Sequence, residues 1–256
     1  MWAQGDYAAV ARLLEPYAVR LAGLCNIGPG MNVLDVAAGN GNFALAAAGQ
    51  GANVTACDLT PRMIEMGRAR SEAARQDIEW IEGDAEALPV PDASFDLVAS
   101  VFGAMFAPQP QLVASELFRV CRRSGLVAMA NYAPEGFLGS MSALFATYSN
   151  PLPYEVPSPF EWGDSAVVKR RFDTLAREVE IQPDTLTMRF ESVDAGMEFW
   201  ERTNAPTIAL RMTLPAERYV DFQRDARKLM EEMNASRDGR LELESSYVMV
   251  LARPVT

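Results

Sequence analysis

Between residues 6 and 25 the apolar positions Val10, Leu13, Leu14, Tyr17, Leu21 and Leu24 fall at helical spacing, which predicts an amphipathic helix with one buried stripe. From Asn32 onward the pattern changes to short apolar runs alternating with helical stretches. It predicts strands at 33–37, 53–57, 78–82, 96–101 and 125–131, and helices at 42–49, 61–75 and 110–122. Strand and helix in turn describe a parallel sheet covered on both faces. Thr60-Pro61 marks one helix start, because threonine can cap an orphan N–H and proline supplies a helical φ where no N–H is needed.

After Asn131 the regularity breaks. A helical piece near 136–148 precedes NPLPYEVPSP, whose four prolines in ten residues exclude a central strand or a helix interior. This stretch reads as an extended linker, and the aromatic residues Tyr148, Tyr154, Phe160 and Trp162 suggest that it packs down over the rest. The tail predicts helices at 164–175, around 195–202 and at 216–234, a strand near 186–190 and a last strand near 246–252. No internal repeat is visible.

The chain has 256 residues, 49% of them apolar, enough to fill a large α/β core with a cap. Its 23 basic against 34 acidic residues give a net charge of -11, which argues against nucleic acid or anionic lipid as partner. The longest apolar run, 97–107, is too short for membrane insertion, and the first residues lack a signal-like basic-then-apolar pattern. Cys25, Cys57 and Cys121 show no paired spacing and read as reduced thiols of a cytoplasmic protein. There is no histidine, which removes a histidine base, a histidine-activated nucleophile and the commonest zinc ligand; no metal site is expected.

Candidate chemistry centres on VLDVAAGNGNFALA, residues 33–46. Gly39-x-Gly41-x-x-Ala44, with Asp58 further on, matches a dinucleotide fingerprint. Asp35 fits that ligand poorly, since it would set like charge beside a pyrophosphate, whereas a sulfonium or ammonium would be attracted. Asp58 ends the second predicted strand, Asp84 follows the third, and residues 100–103 follow the fourth, so four loops converge on one crevice. Any one of these acids alone is accounted for by a turn or a helix cap. Together they meet the needs of an adenosine, one acid for the ribose hydroxyls and one for the exocyclic amine.

The succession VLDVAAGNGNFALA, VTACDLTPRMIEMGRAR and EGDAEALPVPDASFDLVASVFGAMF resembles the class I S-adenosylmethionine-dependent methyltransferases, in particular small-molecule enzymes similar to the quinone-biosynthesis C-methyltransferases. The resemblance spans 31–131. It implies a doubly wound, mostly parallel seven-stranded α/β sheet with the last strand antiparallel, helices on both faces and a helical cap. It implies S-adenosyl-L-methionine as cofactor and S-adenosyl-L-homocysteine as product. The loop from Asp35 through Ala37 and Gly39 to Gly41 would hold the methionine portion, Asp58 the ribose and Asp84 the adenine amine. Leu59, Met63 and Ala85 would flank the adenine, and Phe102 would lie near the methyl donor. The chain then divides, within one domain over 1–256, into a cap helix in 1–30, a cofactor-binding half at 31–131, a substrate cap with linker and sixth strand at 132–235, and the last strand in 236–256.

There is one departure: Ala37, followed by Ala38, stands where the family has glycine. The fourth strand also lacks the Asn/Asp-Pro-Pro-aromatic ending of amino-methylating enzymes, which disfavours a base or peptide amide as acceptor. Methyl transfer from a sulfonium is an in-line displacement that needs alignment and exclusion of water. If the acceptor must lose a proton, Tyr7, Tyr17, Tyr132 and Glu135 are the candidate bases. The acceptor, a small molecule methylated on oxygen or carbon, would lie among Trp2, Tyr132, Phe137, Phe145 and Phe160, with Trp162, Phe199, Trp200 and Met212. Two competing readings are a nicotinamide-dependent oxidoreductase and a non-catalytic S-adenosylmethionine-binding domain. Monomer and homodimer are both open.

Overall fold

The computed structural model describes residues 5–149 and 156–255. Helix α1 (Tyr7–Leu24) precedes β1 (Asn32–Val36), and the chain then alternates: α2 (Asn42–Ala48), β2 (Asn53–Asp58), α3 (Pro61–Ala74), β3 (Ile78–Glu82), β4 (Phe95–Val101), α4 (Pro110–Val120) and β5 (Cys121–Gly136). The second half holds α5 (Phe137–Tyr148), α6 (Ser165–Phe172), β6 (Ala176–Phe190), α7 (Val193–Thr203), α8 (Ala205–Thr213), α9 (Ala216–Glu232) and β7 (Leu241–Pro254). Short 3-10 turns occupy Ala104–Phe106 and Pro159–Gly163.

The sheet has seven strands in the order β3-β2-β1-β4-β5-β7-β6. β1 to β5 pair in parallel, while β7 runs antiparallel between β5 and β6, as the family resemblance implied. Strand order reverses between β1 and β4, the address at which an open α/β sheet leaves a crevice beyond its carboxyl ends. Val33, Leu34, Val36, Leu97, Val98, Val127, Met129 and Val250 are fully buried, so the middle of the sheet is covered on both faces. Among the described residues no helix is long and apolar enough to cross a membrane. Cys25, Cys57 and Cys121 are free and buried, and burial pushes each thiol up to about 12.

Four predicted elements needed correction, one of them β7, which begins at Leu241, five residues before the predicted last strand. α4 ends at Val120 and β5 begins at Cys121, several residues before the predicted strand. The early start is a tight irregularity: a Cβ at Gly125 would stand 2.7 Å from Cys121 Sγ and 2.8 Å from the Asp96 carbonyl. β6 begins ten residues before the predicted strand, because its first part is an edge held by pairing with β7 and carries polar residues and Pro183 instead of an apolar run. Helix α8 was not predicted at all. Residues 150–155 of the proline-rich stretch and Trp2 lie outside the described residues, and Pro159 opens a 3-10 turn.

Thr60 is the N-cap of α3 with Pro61 inside the first turn, yet its side chain does not cap the helix. Asp58 instead accepts the N–H of Thr60 itself at 2.9 Å, just ahead of the helix.

Candidate functional site

The carboxyl ends of β1, β2, β3 and β4 open on one cavity of about 710 Å³, within the usual range of about 300–1,000 Å³ for small-molecule sites. Ala37, Gly39, Asp58, Leu59, Met63, Asp84, Ala85 and Phe102 all line it. Asp35, Gly41, Tyr17 and Glu135 do not.

The loop after β1 takes its shape from left-handed backbone at Ala37 (φ 54°), Gly39 (φ 56°) and Gly41 (φ 87°). Its partner is Asp58, whose Oδ2 accepts the Gly39 N–H at 2.8 Å while Oδ1 accepts that of Thr60. One carboxylate thus ties the loop after β1 to the start of α3. Burial raises its pKa, and the Thr60 and Gly39 N–H groups oppose the rise. A left-handed alanine costs about 1–2 kcal/mol, and Ala37 bears it where the family has glycine. Room for its methyl comes from Gly103 across the gap to β4, where a Cβ would stand 2.8 Å from Ala37 Cβ. Phe102, beside Gly103, is also left-handed (φ 52°), so two strained non-glycine residues face the same cavity.

Asp35 departs from expectation. Its side chain is turned away from the cavity and accepts the Ala44 N–H at 3.0 Å, satisfying a donor in the first turn of α2. Burial pushes its carboxyl up to about 8, the Ala44 bond works against the rise, and the Asp58 charge adds to it. Gly41 also serves the fold: it is the N-cap of α2, and a Cβ there would meet the Trp80 ring at 2.8 Å.

The four candidate bases separate. Tyr7 stands directly over the loop, so that a Cβ on Gly39 would lie 2.3 Å from its hydroxyl. It is held there because Asp6 caps α1 and donates its backbone N–H to the Arg202 carbonyl at 3.1 Å, backed by an Asp6–Arg202 ion pair. Burial, then the charges of Asp58 and Asp35, push the Tyr7 phenol up to about 12. Tyr132 lines the cavity and stacks on Phe102, with centroids 4.1 Å apart and planes 6° apart, and burial raises its pKa strongly. Tyr17 instead accepts the Thr187 N–H at 3.1 Å and packs edge-on against Phe102 and Tyr247. Glu135 is exposed outside the cavity. Neither Tyr17 nor Glu135 stands on the cavity wall.

Away from the sheet, α5 supplies Leu138, Met141 and Phe145, β6 supplies Leu186 and Met188, and α7 supplies Phe199 and Trp200. Phe160 enters from the 3-10 turn, which packs so tightly on β5 that a Cβ at Gly163 would lie 2.2 Å from Ala133 Cα. Phe137 and Trp162, expected in the lining, are buried in the core instead, and Met212 is 70% exposed. The charged side chains on the cavity wall are Asp58, Asp84 and Glu86, all at the sheet end. Asp84 is exposed and accepts the Glu86 N–H at 2.9 Å, and Glu86 accepts two bonds from Gln109 at 2.7 and 2.8 Å. Sequence reasoning missed Glu86, Ser142, Thr203 and Asn204. The last had a readable signal, since Asn204-Ala205-Pro206 is a helix start.

Residues 34–129 match a family model described as a methyltransferase domain. Over 210 residues the chain is 41% identical to an uncharacterized protein of Mycobacterium tuberculosis, covering 81% of this chain and 77% of that one. A demethylmenaquinone methyltransferase of Renibacterium salmoninarum is 37% identical over 120 residues, 47% of this chain and 48% of that one. In fold, the chain is similar to the YcgJ protein of Bacillus subtilis, with a TM-score of 0.62 at 19% identity over 93% of this chain and 97% of that one. A sheet with this strand order, a glycine-bearing loop at its switch point and these relatives have one reading: the chain belongs to the class I S-adenosylmethionine-dependent methyltransferases and takes its methyl group from S-adenosylmethionine.

Proposed function

We propose that the enzyme methylates an oxygen or carbon of a small, uncharged, aromatic or lipophilic molecule. The observation that carries this reading is the division of the cavity, acidic at the strand ends and uncharged and largely apolar beneath α5, β6, α7 and α8. In this reading Asp58 receives the ribose hydroxyls and Asp84 the adenine amine, with Leu59, Met63 and Ala85 around the base. The loop from Ala37 to Gly41 meets the methionine portion, and Phe102 lies beside the methyl group. Residues 31–131 act as the cofactor half and 132–235 as the acceptor cap, in a setting for which three buried free thiols suit the cytoplasm.

Electrostatics favour a cation here. Asp35 and Asp58 repel each other, both carboxyls are pushed up, and Tyr7 is pushed up by the same two charges. S-adenosylmethionine carries one more positive charge than its product and supplies an activated methyl. Raising the pH through about 8 ionises Asp35, so the affinity ratio of S-adenosylmethionine to S-adenosylhomocysteine is expected to rise by about threefold or more between pH 6.5 and 9. Calorimetry at the two pH values checks this, and Asp35→Asn should flatten the trend. An unchanged ratio would remove the sulfonium from the neighbourhood of Asp35.

S-adenosylmethionine held by Asp58, Asp84 and the loop from Ala37 would give up its methyl to the acceptor's electron pair by in-line displacement, the sulfonium leaving as a neutral thioether. The chain's part is alignment and exclusion of water. With their pKa values raised, Tyr7 and Tyr132 are neutral phenols near pH 7 that orient the acceptor by donating hydrogen bonds. The acceptor proton therefore leaves to solvent.

The test is transfer of labelled methyl from S-adenosylmethionine to a panel of neutral phenols and quinols, with protein and DNA in parallel. Label in organic-extractable product supports the reading. Label confined to macromolecules, or transferred to nothing, overturns it.

A further inference from the structure

We infer that Asn204 selects the acceptor: its side-chain amide donates a hydrogen bond to an uncharged oxygen, such as a ketone, quinone or ester carbonyl, on the lipophilic molecule held in the cavity. The inference deepens the proposed function and rests on it. Asn204 lines the cavity away from the strand-end acids. As N-cap of α8, its Oδ1 accepts the Thr207 N–H at 3.0 Å and the Thr207 hydroxyl at 2.9 Å. A backbone N–H can be met only by the oxygen, which fixes the amide's orientation and leaves Nδ2 as the outward group. Among the described residues Nδ2 has no partner.

The position of this donor is also fixed. The Asn204 N–H closes α7 on the Trp200 carbonyl at 2.9 Å, and the adjoining Arg202 carbonyl anchors the start of α1. A donor held between α7 and α8 loses little freedom on meeting a ligand, the condition under which one hydrogen bond discriminates. Left unmet in an apolar wall, the same donor carries a desolvation cost that a ligand oxygen removes and a hydrocarbon does not. Ser142 of α5, half-buried in the same cavity, likewise engages no partner among the described residues. The Trp200 indole N–H, buried on the same wall, has no partner either; all three groups are neutral and no charged side chain stands at this end, so the group they fit is polar but uncharged.

The test uses 1-tetralone and tetralin, which share a shape and differ in one carbonyl, titrated into enzyme saturated with S-adenosylhomocysteine. Wild type should bind tetralone about fivefold more tightly, the worth of one neutral hydrogen bond. Asn204→Asp keeps an oxygen for the Thr207 N–H, and aspartate caps as well as asparagine, so the melting temperature and S-adenosylhomocysteine affinity should hold. Its tetralone-to-tetralin ratio should fall to one. Asn204→Ser, a neutral cap, should lower the ratio in the same direction. Equal binding of the two probes by wild type, or an unchanged ratio in both variants, overturns the inference. So does a parallel loss of S-adenosylhomocysteine affinity, which would assign Asn204 to the donor. If neither probe binds, the apolar acceptor end fails, and with it the reading beneath the inference.

Discussion

Asp58→Ala is expected to weaken S-adenosylhomocysteine binding by about 1–3 kcal/mol, roughly 5- to 150-fold. Two losses add. The ribose hydroxyls would lose their acceptor, and the Gly39 and Thr60 N–H groups, now met at 2.8 and 2.9 Å, would lose the carboxylate that draws their loops together. Asp58→Asn separates the two, because one amide oxygen can still accept from one of these N–H groups but no carboxylate remains. Calorimetric titration of both variants checks the result, with melting temperature as control for folding. An affinity unchanged in Asp58→Ala would place the ribose elsewhere.

The second large effect concerns the face of the loop under Tyr7. Gly39→Ala is expected to cost about 1–3 kcal/mol in cofactor affinity or stability, as overpacking does. Its φ of 56° does not by itself forbid alanine, since Ala37 holds 54° in the same loop. What opposes the methyl is the Tyr7 hydroxyl, 2.3 Å from where Cβ would stand, with the ring carbon behind it at 3.1 Å. Tyr7 cannot retreat freely, because Asp6 is bonded to Arg202. Removing that hydroxyl in Gly39→Ala/Tyr7→Phe should therefore recover most of the loss, and a double-mutant cycle measures the coupling. Purely additive effects would show that backbone strain at residue 39, and not the packing of Tyr7, sets the cost.

The first four strands and their helices were legible because their signals are local. Apolar runs separated by helical periods reproduce β1 to β4 and their helices to within a residue or two, with Asp58 closing β2 and Asp84 following β3 where the pattern put them. Asp35 shows the limit of that logic. Its place near the end of β1 was readable, but whether a strand's side chain faces the crevice or the first turn of the next helix depends on packing, and here it meets Ala44. Tyr17 and Glu135 failed for the same kind of reason: a tyrosine or a glutamate is chemically suited to be a base at any position, and only the cavity wall decides which can act.

By itself the sequence determined the alternating α/β order, the crevice at the strand ends, the absence of histidine chemistry and the resemblance that led to the cofactor. Periodicity and turn chemistry act over a few residues, so one chain segment carries the whole signal. The tertiary structure alone decided that residues 176–190 form one long edge strand, that Tyr7 covers Gly39 from 32 positions away, and that Asn204, whose Oδ1 caps α8 and whose Nδ2 has no partner among the described residues, stands on an uncharged part of the cavity wall. Each of these depends on a partner far along the chain, β7 for the edge strand, Gly39 for Tyr7, and helices and strands from both halves for the cavity. Long-range packing of that kind leaves no periodic mark on the residues it brings together.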